Sequence, residues 1–351
     1  MNLAARLQAL IPQGLAPATP DGATAYALDT PLIPWAYQGA LVAEYAHSRE
    51  MDLAEWRRRA GVAEGSGLGL LLSPRQLLAL LEQARCSAPD AAFVLGRLAL
   101  PGHFGLASQA LQQAPHLLGA LQTLCRFAGR LTPLLTPRLL VQGDELFLYW
   151  TDACGAPAPL RPFLVDLHMS AVVGMAAWLQ GEARLPWRCS FNRTVPRDLA
   201  RHASFLGTDL RFDCQVDAMR LPLARALQPW RGAAALPSER VLAADPDAPR
   251  RGLLTALYDH LLPQAAGQPS LDGAARHFGV SPATLKRHLA HHGSSFQGEF
   301  DTLRSHLACY LLREEGHGHE RVAHALGFHD AANFRRSFKR WTGLTPGQLG
   351  A

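Results

Sequence analysis

The side chains with chemistry to offer gather near the C-terminus, and they are cations. Of 34 basic residues only Lys286 and Lys339 are lysines, and both fall in short segments free of acid. Lys286 and Arg287 lie within Ser281 to His292; Arg335, Arg336, Lys339 and Arg340 lie within Ala331 to Trp341. Residues 252–351 hold ten Lys and Arg against eight Asp and Glu, so positive charge is concentrated in these segments, not spread over the tail. Clustered cations suit a polyanion, because each neutralised phosphate releases condensed counterions. Arginine adds bidentate pairing with guanine in the major groove. Taken singly, each arginine reads equally well as a solvated helix charge; two aligned segments favour base or phosphate contact.

An internal repeat positions those segments. The first copy is LDGAARHFGVSPATLKRHL, Leu271 to Leu289, and the second is RVAHALGFHDAANFRRSF, Arg321 to Phe338. Each sets an alanine four residues before a glycine, Ala275 with Gly279 and Ala323 with Gly327, and an apolar residue after it, Val280 or Phe328. A capping residue follows, Ser281 or Asp330, with apolar anchors four and eight residues beyond: Leu285 and Leu289, Phe334 and Phe338. The alanine lets two helices approach, and the glycine allows the turn between them. The cap satisfies the free N–H groups of the second helix. Anchors at i and i+4 pin one face to a core and turn the other outward. Two helix-turn-helix units are predicted, each with its second helix suited to the DNA major groove. Phe334, Phe338 and Trp341 read as core by the same spacing, not as stacking groups for single-stranded nucleic acid. Between the copies, Phe296, Phe300, Leu303, Leu307 and Leu311 form one helical stripe. A helix there would join the units rigidly, reading groove faces about one turn, roughly 34 Å, apart.

The rest of the chain has another texture. Pro12, Pro17, Pro20, Pro31 and Pro34 predict a loose arm over residues 1–34. Residues 35 to about 131 read as helical, with Ser73-Pro74 as one helix start. RLLVQGDELFLYW predicts a hairpin around Gly143-Asp144. A helix ending at Gly181 follows, then strands at WRCSFNR and DLRFDCQ around a short helix from Pro196 to Phe205. This alternation predicts a mixed α/β (α+β) domain over 35–230. The Ala-, Pro- and Asp-rich stretch 231–250 reads as a linker, and 251–351 as an all-α domain.

Composition narrows the function classes. Among 351 residues, 48% are hydrophobic and 18% charged, which supports a packed core and excludes bulk disorder. Six scattered cysteines without a Cys-x-x-Cys pair argue against a disulfide framework and fit a reducing cytoplasm. The opening MNLAARLQALIPQG has too short an apolar core for a signal peptide. Phe163 to Leu179, the most apolar segment, contains Asp166 and His168 and falls short of a membrane span. No Gly-x-Ser-x-Gly, Walker or His-Glu-x-x-His motif appears, so nothing nominates a nucleophile, a cofactor or a metal. Asp166 and His168 stand two apart on a helix and face different ways, which disfavours a catalytic dyad. The glycine-flanked pair His291-His292 reads as surface loop.

Ser270 to Leu349 resembles the DNA-binding domain of the AraC/XylS family of bacterial transcription regulators. VSPATLKRHL, the following GSSFQ, Arg304 and above all ALGFHDAANFRRSFKRWTGLTP carry the likeness. The resemblance implies base contact by outward residues early in each reading helix: Ala283, Lys286 and Arg287, then Ala331, Ala332, Asn333, Arg335 and Arg336. Lys339 and Arg340 extend the second cationic face. Three of these positions are alanines, which offer only methyl contacts, so readout falls on Lys286, Arg287, Asn333 and Arg336. Trp35 to Pro229 resembles the arabinose-binding-type N-terminal domain of one branch of the family. HFGLASQALQQAPHLLGALQTLCRFAGRLTP and LARHASFLGTDLRFDCQVDAMRLPLARALQPW carry that likeness. It implies effector binding or dimerisation without fixing a sugar. Phe104, Arg126, His168 and Trp178 stand as effector-binding candidates.

The expectation is a cytoplasmic, sequence-specific regulator and not an enzyme. It would bind double-stranded DNA at promoters as a homodimer and act as an effector-responsive activator on RNA polymerase. No cofactor and no membrane partner are expected. Two rival readings use the same residues. One is a constitutive DNA-binding dimer whose first domain binds no ligand. The other is an enzyme with a DNA-localising tail, which lacks a convergent acid, base and nucleophile.

Overall fold

A computed structural model describes residues 25–63, 69–181, 185–230, 238–244 and 250–349. Ala25–Leu253 forms one compact unit, and the chain from Leu254 onward belongs to another.

The first unit opens with two short strands, β1 (Ala25–Tyr26) and β2 (Ile33–Pro34). Helices α1 (Ala40–Ser48) and α2 (Leu53–Arg59) lead to β3 (Leu71–Leu72), which pairs antiparallel with β2. Four further helices follow, α3 (Pro74–Ser87), α4 (Ala91–Ala99), α5 (Leu106–Gln112) and α6 (Leu117–Arg126), then the single turn α7 (Ala128–Leu131). Ser73 starts α3 as expected: its hydroxyl accepts from the Gln76 amide, and the Gln76 side chain returns to the Ser73 amide. The hairpin forms from β4 (Leu135–Gln142) and β5 (Glu145–Asp152), with Gly143 in the left-handed region at φ +55°.

The long helix α8 (Arg161–Gln180) comes next and ends at left-handed Gly181, φ +69°. Strand β6 (Arg188–Ser190), α9 (Leu199–Leu206), β7 (Asp209–Arg211) and β8 (Ala218–Pro222) complete a five-stranded sheet in the order β4-β5-β8-β6-β7. The β6–β7 pair is parallel and the others are antiparallel. The sequence reading missed β8, because Arg220 interrupts its apolar run. Met219 and Leu221 are nonetheless fully buried, and the Arg220 guanidinium lies over the Phe147 ring.

The sequence reading put this segment short of a membrane span, but by length and composition α8 is apolar enough to cross one. Its buried Asp166 and Ser170 are nonetheless matched within the unit. Asp166 pairs with Arg193 and with His202 (3.3 Å), and the Ser170 hydroxyl donates to the Phe93 carbonyl (3.1 Å). It is therefore the core helix of this unit. Small residues bring α4 against it: a Cβ on Gly96 would stand 2.4 Å from the Leu167 carbonyl oxygen and 2.7 Å from Ser170 Cβ.

Two expected boundaries differ. Residues 25–34, assigned above to an arm, are packed: Tyr26, Leu28, Leu32 and Ile33 are buried, and the Tyr26 hydroxyl donates to the Pro133 carbonyl at 2.7 Å. β1 also pairs in parallel with β9 (Arg251–Gly252), tying the two ends of the unit together. Prolines in this stretch break helices without preventing burial, which is why composition misled. The remainder of that arm, residues 1–24, lies outside the described residues. Past the single turn α10 (Leu223–Ala226), the expected linker holds the helix α11 (Ser238–Ala244), which packs against α5 and buries Val241; 231–237 and 245–249 lie outside the described residues.

Among its described residues the second unit is all helix. The helix α12 (Leu253–Leu261) carries the chain into it, followed by α13 (Leu271–His277), α14 (Pro282–His291), α15 (Phe296–Arg313), α16 (His319–Ala325), α17 (Ala331–Thr342) and a last turn at Pro346–Leu349. Leu285, Leu289, Leu303, Val322, Phe334 and Phe338 are its buried centre.

Gly96→Ala tests the close approach in the first unit. Alanine gains about 1 kcal/mol of helix propensity. It must also force two helices apart, an overpacking cost of about 1–3 kcal/mol or more. A lower urea midpoint is expected; a raised midpoint would show that the contact relaxes freely.

Candidate functional site

The two predicted units share one hydrogen-bonded turn. In the first, the amides of Gly279 and Val280 donate to the carbonyls of Arg276 (3.1 Å) and Ala275 (3.0 Å). In the second, those of Gly327 and Phe328 donate to His324 (3.1 Å) and Ala323 (2.9 Å). Both glycines are left-handed, φ +65° and +74°, a conformation glycine adopts without a Cβ penalty. The caps also correspond. Ser281 Oγ accepts from the Thr284 amide (3.1 Å), and Asp330 Oδ1 accepts from the Asn333 amide (2.6 Å). Leu285, Leu289, Phe334 and Phe338 then face inward, at most 1% exposed.

The opposite faces present the cations. Ala283, Lys286 and Arg287 are exposed on α14, and Ala332, Arg335, Arg336, Lys339 and Arg340 on α17. Lys286, Arg287, Arg335 and Lys339 make no side-chain hydrogen bond or ion pair with the described residues. Ala331 and Asn333 are half-buried. Asn333 is already engaged: its Nδ2 donates to Asp330 Oδ2 (2.8 Å), and its Oδ1 accepts from Arg336 (2.5 Å). Arg340 approaches Asp301 at 3.4 Å. Trp341 is half-buried beside Phe328, and of the histidine pair only His291 is exposed. His291 is the last residue of α14 and His292 is buried, its Nδ1 donating to the His288 carbonyl at 2.7 Å, so neither stands in a surface loop.

Arg304 has a structural role that the sequence did not reveal. It projects from α15 and donates from Nε to the Ala265 carbonyl (3.1 Å) and from Nη2 to the Gly267 carbonyl (2.8 Å). Its guanidinium lies 4.1 Å from the Phe300 ring centroid and 5.1 Å from that of Phe328. One side chain thus ties the joining helix, the segment ahead of the first module and the turn of the second. A Cβ on Gly327 would lie 1.9 Å from the Ala266 carbonyl oxygen, in that same segment.

The first unit contains a cavity of about 40 Å³ between α1, α3, α4, α8 and the chain after α7. That is room for about three water molecules. Phe104 and His168 line it, as do Leu77, Leu100 and Leu134, together with Gln38, which the sequence reading did not single out. Two proposed effector contacts are elsewhere: Trp178 is 63% exposed on the surface, and Arg126 lies half-buried beside Phe127. Gln38 sits in the turn before α1, where no motif marks it. His168 Nδ1 donates to the Leu164 carbonyl at 2.6 Å, which leaves Nε2 as an acceptor. Burial, against a smaller opposing effect of that hydrogen bond, pushes the imidazole down to about 4. The ring is neutral at physiological pH.

Comparison with known proteins adds to this geometry. The family described as "Arabinose-binding domain of AraC transcription regulator, N-term" matches residues 51–230, and a "Helix-turn-helix domain" family matches residues 274–351. The ornithine utilization regulator of Pseudomonas aeruginosa is 30% identical over 328 residues, covering 90% of this chain and 95% of its own. The regulator VirS of Mycobacterium tuberculosis is 25% identical over 279 residues, 76% of this chain and 80% of its own. The crystal structure of the regulator CdpR from Pseudomonas aeruginosa covers 91% of this chain and 99% of its own, with 21% identity and a TM-score of 0.43.

The two turns respond differently to a side chain. Gly279→Ala meets open space and bears only the left-handed strain, about 1 kcal/mol. Gly327→Ala adds the clash with Ala266, so its loss of stability in denaturant unfolding is expected to be at least twice as large; equal losses would contradict the close approach. His168 gives a pH signature. Its folded value lies below the ordinary 6.5, so the unfolded chain binds the proton first. The resulting stability is complete above pH 6.5 and is lost as pH falls toward 4, about 2–3 kcal/mol between pH 7 and 4.5. His168→Leu is expected to flatten the unfolding midpoint against pH over that window; an unchanged slope would place the pH dependence elsewhere.

Proposed function

The chain belongs to the AraC family of DNA-binding transcription regulators, and on that footing we propose how this member reads DNA and is controlled. Helices α14 and α17 enter successive stretches of one major groove. Lys286, Arg287, Arg335 and Lys339 supply free charge for bases and phosphates. Arg336 reads a base while Asn333 holds it, so Asn333 acts by positioning more than by direct contact. Ala283, Ala331 and Ala332 allow close approach and methyl contact. Arg340 completes the phosphate grip. The observation that carries this reading is two free cationic faces mounted on two matching capped turns. A regulator's work accounts for these features without catalysis.

Ala25–Leu253 is proposed as the sensing and dimerising unit, and the chain from Leu254 onward as the DNA-binding unit. The match of residues 51–230 to a regulator's N-terminal domain and the partly polar cavity support a small-molecule effector. An effector that binds one arrangement better shifts the population competent for DNA. Activation through contact with RNA polymerase is the proposed output, by a homodimer acting in the cytoplasm where the promoters are. None of the six cysteines is in a disulfide.

Capture from sheared genomic DNA at about 0.15 M salt tests the reading, since screening there suppresses casual phosphate binding. The native chain is expected to enrich a few promoter fragments. The Arg287→Ala plus Arg336→Ala variant is expected to lose them by a factor of about 100, one base contact of roughly 1–3 kcal/mol in each module. Equal, indiscriminate capture by both proteins would remove specific readout by these helices.

A further inference from the structure

The cavity beside α8 carries more than its position. Its lining is apolar except for Gln38, Thr132 and His168, and no lining side chain is an acid, lysine or arginine. Gln38 is 8% exposed, and its Nε2 donates to the carbonyls of Arg130 (2.7 Å) and Leu131 (3.4 Å). Those carbonyls only accept, so the amide cannot be turned round, and Oε1 is fixed as the free end. Oε1 is buried and has no hydrogen-bond partner. His168 is fixed by the same logic, because Nδ1–H is committed to Leu164 and Nε2 keeps its lone pair. The Thr132 hydroxyl donates to the Ala128 carbonyl at 3.4 Å and is spent locally. The polar side chains here offer acceptors and no free donor. Trp150, 5.2 Å from His168 between ring centroids, backs the imidazole with apolar surface.

We propose that this cavity binds a small, uncharged hydroxyl compound with an apolar body, whose O–H donates to Gln38 Oε1 or His168 Nε2. Accepting groups without donors in a dry lining select for a ligand that brings a donor. A carboxylate finds no donor or cation to replace its water, and an ammonium finds no counter-charge. A polyol carries more polar groups than two acceptors satisfy. Room for about three waters sets the scale at a short alcohol. The proposal rests on the reading of Ala25–Leu253 as a sensing unit and names the class of effector it takes.

The full-length chain is titrated with three probes by ligand-observed NMR: ethanol, its isomer dimethyl ether, and acetate. The isomers share size and apolar surface, but only the alcohol donates. The expected result is saturable binding of ethanol at least about tenfold tighter than the ether, the worth of one or two buried hydrogen bonds. Acetate is expected not to bind. In Gln38→Leu and His168→Leu the alcohol-to-ether ratio is expected to fall toward one. Ala99→Leu, which fills the lining without touching either acceptor, is expected to exclude both. Equal affinity for the isomers, preference for acetate, or no binding of any probe to the native protein would each overturn the proposal; the isomer comparison needs no variant. Affinity for a captured promoter fragment is measured in the same samples. Alcohol binding that leaves DNA affinity unchanged supports the cavity proposal and removes the sensing role. DNA affinity that responds to another compound, with ethanol unbound, overturns the cavity proposal and leaves the sensing role standing.

Discussion

In the second unit one guanidinium, that of Arg304, fastens the helix between the two modules to the segment ahead of the first and to the turn of the second. The guanidinium lies against the faces of Phe300 and Phe328 and donates to the carbonyls of Ala265 and Gly267. A planar, delocalised cation does both at once; a lysine ammonium, a point charge, cannot stack and fork together. The carbonyls just ahead of the first module are thereby bound to the helix that leads into the second. Gly327 closes the same junction, since the Ala266 carbonyl occupies the space a Cβ would need. Without this junction the modules would sample many separations, and binding energy would be lost to ordering them.

On that frame each module repeats one economy of hydrogen bonds. The turn amides return to the helix just ended, and the cap oxygen takes the first free amide of the helix about to begin. Nothing in the outward face is needed for folding, which leaves Lys286, Arg287, Arg335 and Lys339 free of partners among the described residues. The second module departs from this in one respect. Its cap is an aspartate, and Asn333 joins Asp330 to Arg336, so the Arg336 guanidinium is held in one orientation.

In the first unit, α8 separates two kinds of polar chemistry. Asp166 meets Arg193 and His202 in a buried ion cluster edged by Phe93, Phe191 and Phe212. Two residues on, His168 turns to the apolar cavity and stays neutral. Helical spacing of two sends neighbouring side chains to different surroundings. One helix therefore both holds a buried ion pair and lines an apolar cavity, without mixing charge into that cavity.

The C-terminal architecture was legible because its signals are local. Ala–Gly spacing, caps and anchors each act within about two helical turns, so Ala275, Gly279, Ser281 and Leu285 announce their roles in sequence. The hairpin at Gly143 and the end of α8 at Gly181 were legible for the same reason. What tertiary structure alone decided involves partners far apart in the chain. Pairing of Ala25 with Arg251 drew a proline-rich stretch into the first unit. Gln38 and His168 became neighbours of one cavity though 130 residues separate them, while Trp178 and Arg126, equally plausible by type, went elsewhere. Asn333 has a base reader's chemistry but spends it on Asp330 and Arg336. Residue type and short spacing therefore determined that this chain folds into helix-turn-helix modules with cationic faces. Which polar atoms remain free for a ligand was decided only by packing, because a hydrogen bond is satisfied in space and not in sequence.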